Sequence, residues 1–200
     1  MTKSGVAIVE GIDDSDVEGA LRLAYAAFAE KFRIGFRDAG DLVRLFGDSV
    51  NTGHCLTAIA DGRLVGILMF QTADREFFHL KPSSAFTRFS PVRALRIVLN
   101  LLLLTRTARP DEFVVDSLAV APAARGLGIG TRMMARAEDK ALAMGKDTMS
   151  LDVIGENAGA IRLYERLGFK TTRVWRSKWL EPAIGAKEVR RLEKPLTEGD

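Results

Sequence analysis

The 200-residue chain has a single cysteine, Cys55, and two histidines, His54 and His79. One thiol excludes an internal disulfide and a cysteine-rich metal site. The histidines fall in no metal-ligand spacing, which points to surface or loop positions and to no metal. Excess charge of one sign is also scarce, with a formal net charge of +3. Basic residues are scattered rather than striped, apart from Arg162/Arg166 and Arg190/Arg191. A nucleic-acid binder calls for a denser basic face, so no nucleic-acid partner is expected. No apolar run reaches the ~20 residues that span a bilayer. Residues 1–12 hold no apolar signal core, so a cytoplasmic location is the default expectation. No internal repeat and no low-complexity tract occurs. The 47% hydrophobic content suits one domain over residues 1–200, with a real core.

The most informative stretch reads as a strand, a glycine-rich bend and a helix. The bend is Arg125-Gly126-Leu127-Gly128-Ile129-Gly130, followed by Thr131. Glycines at alternating positions let a ligand approach the backbone closely. The first N–H groups of the following helix, with its dipole, favour an anion such as a phosphate. A P-loop needs Lys-Ser or Lys-Thr after its last glycine, and here Thr131-Arg132 follows. A dinucleotide fingerprint needs its third glycine at residue 131 or 133, which are Thr and Met. What remains is R-x-x-G-x-G, carried by Arg125, Gly128 and Gly130. Further on, Asn157, Ala160, Tyr164, Gly168 and Phe169 fit N-x-x-A-x-x-x-Y-x-x-x-G-F. Asn157, Ala160, Ile161, Tyr164 and Gly168 share one helical stripe.

These two motifs, in this order and at this separation, resemble the two cofactor motifs of the GNAT superfamily of N-acetyltransferases. The resemblance covers roughly residues 6–195 and is best over 113–170. It implies an α/β (α+β) GNAT fold, with a mixed, mostly antiparallel sheet of six to seven strands and helices on both faces. It also implies acetyl-CoA as co-substrate, an amine-bearing acceptor and no metal.

Strands are expected at 6–10, 56–60, 64–70, 113–120, 149–154, 169–180 and 187–192, the second and third joined by the hairpin signal Asp61-Gly62. Helices are expected at 17–28, 41–46, 130–144 and 158–167. One segment departs from the family plan: about thirty extra residues, 79–111, stand between the third and fourth strands. This helical insertion contains the Leu-rich run 92–104, with Ser90-Pro91 as a helix start. From Ile97 onward the run is apolar nearly all round, so it must be covered. A dock on the chain's own core, a homodimer contact and a wall of an apolar acceptor pocket all remain open.

The resemblance also assigns roles. Leu118, Ala119 and Val120 lie at the end of the central strand, where backbone groups of Leu118 and Val120 would pair with the pantetheine arm. One N–H there would polarise the acetyl carbonyl. Residues Arg125, Gly126, Leu127, Gly128, Ile129, Gly130 and Thr131 would hold the pyrophosphate through main-chain amides. Asn157, with Ala160 on its stripe, would contact the cofactor arm, although Asn157 also reads as a plain N-cap. Tyr164 would protonate the departing thiolate, or else be a core tyrosine.

Alternation along the central strand places Val114, Asp116, Leu118 and Val120 on one face. Asp116 is the candidate general base, with Glu30 and Asp38 behind it. Members of the family carry the carboxylate two positions earlier, where this chain has Val114. Phe32, Phe36 and Trp179 are candidate acceptor-site aromatics. Cys55 lies outside the motifs and is not expected to act as a nucleophile. The activity so implied is direct acetyl transfer in a ternary complex. The alternatives are a non-catalytic acyl-CoA-binding sensor or interaction domain with the same fold, and an enzyme for a longer acyl donor.

Overall fold

The computed structural model describes residues 5–32, 35–79, 82–104, 106–176 and 186–196. Seven strands form one sheet: β1 (Ala7–Glu10), β2 (Cys55–Ala60), β3 (Arg63–Gln71), β4 (Glu112–Val120), β5 (Thr148–Ile154), β6 (Lys170–Arg176) and β7 (Glu188–Pro195). Their order is β1-β2-β3-β4-β5-β7-β6. Every neighbouring pair is antiparallel except β4 and β5. Asp61 and Gly62 both adopt positive φ, 50° and 71°. That is the primed turn whose twist matches a tight β2–β3 hairpin.

Alternation along β3 builds two cores. Leu68 and Phe70 face one side, packing with Phe113, Val115 and the helices α5 (Ile129–Ala143) and α6 (Ala158–Arg166). Ile67 and Met69 face the other side. There they meet α1 (Val17–Phe32), α2 (Ala39–Phe46), α3 (Pro82–Arg88) and α4 (Pro91–Leu104). Helix α1 is kinked at Phe28, which has φ −129°.

Two helices thus stand between β3 and β4. The sequence pattern predicts only the second, because seven residues give α3 too few repeats to show a period. The chain's own core covers the Leu-rich run on one side only. Helix α4 buries Ala94, Ile97 and Asn100 and leaves Val92, Leu95, Leu99 and Leu102 exposed. It sits tightly on the segment before α2, where a Cβ added at Gly35 would lie 2.9 Å from Ile97 Cα.

At the start of β4, Glu112 is almost fully buried. Its carboxylate accepts from the Ser150 hydroxyl of β5, from the Arg109 backbone N–H (3.0 Å) and from the Arg106 guanidinium. Burial alone would raise its pKa. The Ser150 and Arg109 hydrogen bonds and the charges of Arg106 and Arg109 outweigh burial and hold it below the usual carboxylate range.

Two stability tests follow from these buried polar groups. Glu112→Ala leaves Arg106 without its carboxylate and is expected to cost about 3 kcal/mol in urea unfolding. Glu112 has a depressed folded pKa. Its contribution is therefore present above the unfolded carboxylate pKa and is lost as pH falls through the folded one. Asn100 is 1% exposed, and neither its Oδ1 nor its Nδ2 has a partner among the described residues. Asn100→Leu relieves both atoms at similar volume and is expected to raise stability by about 1–2 kcal/mol.

Candidate functional site

The site is built where β4 and β5 separate. The two strands pair only over Glu112–Val115 and Thr148–Leu151. Beyond Val115, β4 continues along β3 to Val120, while β5 continues along β7 to Ile154. A gap opens between them, and the β5-facing edge of β4 from Asp116 to Val120 has no strand partner among the described residues.

The divergence begins at a bulge. Phe70 pairs with Val115 and Met69 with Ser117, so Asp116 is the extra residue. An extra residue inverts the alternation after it. Phe113, Val115, Leu118 and Val120 therefore share the α5 side, while Ala119 is buried in the other core. This corrects the expectation that Val114, Asp116, Leu118 and Val120 share a face. Asp116 itself is half-buried at the point where the strands part.

Helix α5 starts beside the gap. The turn before it runs through Gly126 (φ 78°) and Gly128 (φ 73°), and a Cβ at either position would meet nothing within 4 Å. Glycine is therefore required there by backbone conformation, not by crowding. The first helical hydrogen bond runs from Arg132 N–H to the Gly128 carbonyl (3.0 Å). The N–H groups of Ile129, Gly130 and Thr131 are left without an intrahelical acceptor. Leu127 and Thr131 are exposed and Ile129 is buried in the core. The exposed Arg125 donates Nε–H to the Val120 carbonyl (3.2 Å). Arg132 donates to the Val6 carbonyl (2.6 Å), while Arg136 and Lys140 pair with Glu10 at 2.9 and 2.5 Å. These contacts fasten α5 to the edge strand β1.

Helix α6 closes the other side. Measured from a Cβ built on Gly130, Leu118 Cδ2 of β4 lies at 3.6 Å and Leu163 Cδ2 of α6 at 3.8 Å. The glycine turn, the end of β4 and α6 thus converge on one spot. Leu163 carries that contact and occupies an unspecified position of the second sequence motif, directly before Tyr164. Asn157 is an N-cap, its Oδ1 accepting the Ala160 N–H at 3.0 Å. Ala160 is half-buried against the core. Tyr164 is 9% exposed, with its ring 6.0 Å from that of Phe169. Burial pushes its phenol up to about 12.

The other expected residues scatter. Asp38 caps α2, its Oδ1 accepting the Asp41 N–H at 3.1 Å. Phe36 is core. The side chains of Glu30 and Phe32, and all of Trp179, lie outside the described residues. Cys55 is fully buried, and burial raises its thiol to about 12. His79 is exposed, but His54 is not a plain surface residue: it is half-buried, with its ring 5.1 Å from that of Phe70. Burial and the charges of Arg75 and Lys140 lower its pKa.

Chemically, the arrangement offers backbone donors to an anion at the start of α5 and an unpaired strand edge to an extended chain. An extended ligand with a diphosphate at one end fits both features.

Known proteins resemble this chain. A model described as the Acetyltransferase (GNAT) family matches residues 21–169. An L-methionine sulfoximine/L-methionine sulfone acetyltransferase of Salmonella typhimurium is 35% identical over 80 residues. That match spans 40% of this chain and 43% of the relative, so less than half of the relative's length is covered. Among solved structures, an agmatine N-acetyltransferase mutant in its apo form aligns with TM-score 0.63 and 20% identity, over 96% of this chain and 99% of that one. The Salmonella typhimurium protein yncA, solved with its cofactor acetyl-CoA, aligns with TM-score 0.57 and 18% identity, over 98% and 97%. The ribosomal-protein-S18-alanine N-acetyltransferase of Escherichia coli gives TM-score 0.55 and 16% identity, over 98% and 97%. At these identities the structural likeness is one of fold.

Tyr164 makes the site testable by pH. The unfolded chain loses this proton near pH ~10, whereas the folded chain holds it to about 12. Stability therefore falls as pH rises between these values, by about 1 kcal/mol from pH 10 to pH 11. Tyr164→Phe is expected to remove that part of the slope in urea unfolding. The part due to Tyr25, whose pKa is raised by burial and by Asp38 and Asp41, remains.

Proposed function

Because the chain belongs to the acetyltransferase (GNAT) family, we propose that it transfers an acetyl group from acetyl-CoA to an amine by direct attack in a ternary complex. The observation that carries this reading is the gap between β4 and β5, with the start of α5 at its mouth. An amine acceptor is supported by the relatives named for N-acetylation, the agmatine and S18-alanine enzymes.

In this reading the main-chain amides from Arg125 to Thr131 bind the diphosphate, aided by the α5 dipole. The β5-facing edge of β4 at Leu118 and Val120, whose Val120 carbonyl already accepts Arg125 Nε–H, takes the pantetheine arm as a short added strand through its remaining backbone groups. Ala119 contributes backbone only, since its side chain is core. Asn157 spends its Oδ1 on the helix cap and offers its Nδ2 to the arm. Ala160, on the same stripe, keeps the wall beside that arm narrow.

Acetyl-CoA supplies the activated thioester. The amine forms the C–N bond while the C–S bond breaks. A backbone N–H of Leu118 or Val120 meets the developing oxyanion, a contribution of roughly 3 kcal/mol. Tyr164 gives its proton towards the departing sulfur. In this reading Asp116, at the bulge where the gap begins, receives the amine proton directly or through water.

The test is turnover of acetyl-CoA with a panel of amines, read as thiol release, beside calorimetry with coenzyme A. Coenzyme A is expected to bind, and at least one amine to be acetylated. Tyr164→Phe is expected to lower kcat about 100-fold with little change in KM for acetyl-CoA. No affinity for coenzyme A would overturn the whole reading. Binding without transfer to any amine would favour a sensor domain.

A further inference from the structure

We propose that α3 and α4 form a docking surface for an anionic phospholipid bilayer, with an adjoining arginine groove that receives headgroup phosphates. Between Glu76 and Asp111 the chain carries Lys81, Arg88, Arg93, Arg96, Arg106 and Arg109, and no Asp or Glu. Of these, Arg88, Arg93 and Arg96 lie on α3 and α4, while Arg106 and Arg109 pair with Glu112 at the start of β4. Val92, Leu95, Leu99 and Leu102 recur every three or four residues along α4 and are 51–66% exposed, and Phe86 of α3 is 48% exposed. The opposite side of α4 is anchored in the second core through Ala94 and Ile97. The stripe therefore points outward from a fixed helix.

Stepping round α4 by 100° per residue, Arg96 borders the stripe, whereas Arg93 lies further round, between buried Asn100 and Ile97 at the start of the helix. Arg93 leads into a groove of about 420 Å³ lined by Arg37, Arg44, Arg88, Arg93, Phe89 and Ser90. These arginines are far apart in sequence and are gathered by the fold. Arg44 and Arg93 lie 5.0 and 4.9 Å from the Phe89 ring centroid, which orders both. Asp48 pairs with Arg88 at 2.6 Å and Asp41 pairs with Arg93. Among the described residues two carboxylates thus face four guanidiniums, and Arg88 also donates to the Arg44 and Leu45 carbonyls. Ser90 immediately precedes α4, so the positive end of that helix adds to the surplus.

An anionic bilayer satisfies both parts at once. The apolar side chains enter below the headgroups, and the guanidiniums reach the phosphates. A second copy fits less well. Antiparallel pairing of two α4 stripes brings Arg96 near its own counterpart, with no acidic residue on either helix to compensate. A free phosphate would use the groove and leave the stripe bare.

Vesicle flotation of the full chain tests this. Binding is expected to vesicles of phosphatidylcholine mixed with phosphatidylglycerol and not to phosphatidylcholine alone, and it should weaken with salt. Arg44→Ala and Arg96→Ala are each expected to weaken it about fivefold. Leu95→Ser with Leu99→Ser should weaken it at least about tenfold. All three variants change exposed residues and should keep the wild-type affinity for coenzyme A, which separates this outcome from failure of the proposed activity. Any one of four results overturns the proposal: no flotation with mixed vesicles, equal flotation with both vesicle types, binding of inorganic phosphate without vesicle binding, or a sedimentation dimer that the Leu95/Leu99 variant dissolves.

Discussion

Everything at the site depends on β4 and β5 being closed at one end and open at the other. The closed end is held by a four-residue parallel pairing and by buried Glu112, which ties Ser150 of β5 to the β4 backbone and to Arg106. The open end follows from partner choice. Past the Asp116 bulge each strand keeps its other neighbour, β3 for β4 and β7 for β5. Neither edge is therefore free to swing back, and the gap is a property of the sheet rather than of a missing side chain. The connection from β4 to β5 runs through α5. A short connection forces that helix to begin near the C-terminal end of β4, so its N-terminus comes to the mouth of the gap.

Local signals made much of this legible. The Asp61-Gly62 turn, the alternating strands and the glycine bend each carry their information within a few residues, and the structure has all three. The bulge was not legible, because it is a relation between β4 and β3 and leaves no mark on the sequence of β4 alone. Reading β4 as regular alternation put Leu118 and Val120 in phase with Val114, when they are in phase with Phe113 and Val115. The arginine groove was hidden for the same reason, since Arg37 and Arg44 meet Arg88 and Arg93 only through packing of α2 on α3. The Leu-rich run misled in another way. Hydropathy shows how much apolar surface a helix has and not how much neighbouring elements cover, and α4 is covered on one side only.

The two cores divide the labour. The one under α5 and α6 contains Ile129, Met133, Ile161 and Tyr164, so the helices that frame the gap are set by the same packing that closes the sheet. The other core holds α1 to α4 and carries the unusual features: a kinked first helix, the unpaired Asn100 and the exposed stripe. Substitution at the outer face of α4 therefore acts on side chains that point away from the second core.

Burial decides whether the proposed proton transfer is affordable. A phenol at about 12 facing a free thiol at ~8.5 would hand over its proton at a cost of roughly 5 kcal/mol, counted at 1.36 kcal/mol for each pKa unit. That comparison sets a buried acid against a solvated base. A thiolate leaving into the same interior loses its hydration as well, and this chain contains a gauge of how much that matters. Cys55, buried with no opposite charge strong enough to offset desolvation, is itself raised to about 12. A coenzyme sulfur as dry as Cys55 would be nearly matched to Tyr164, and the transfer would approach balance. Burial of the tyrosine is then an asset only if water is kept from the sulfur too. On the proposed mechanism, the requirement on the gap is dryness beside Tyr164, more than any one polar contact to its hydroxyl.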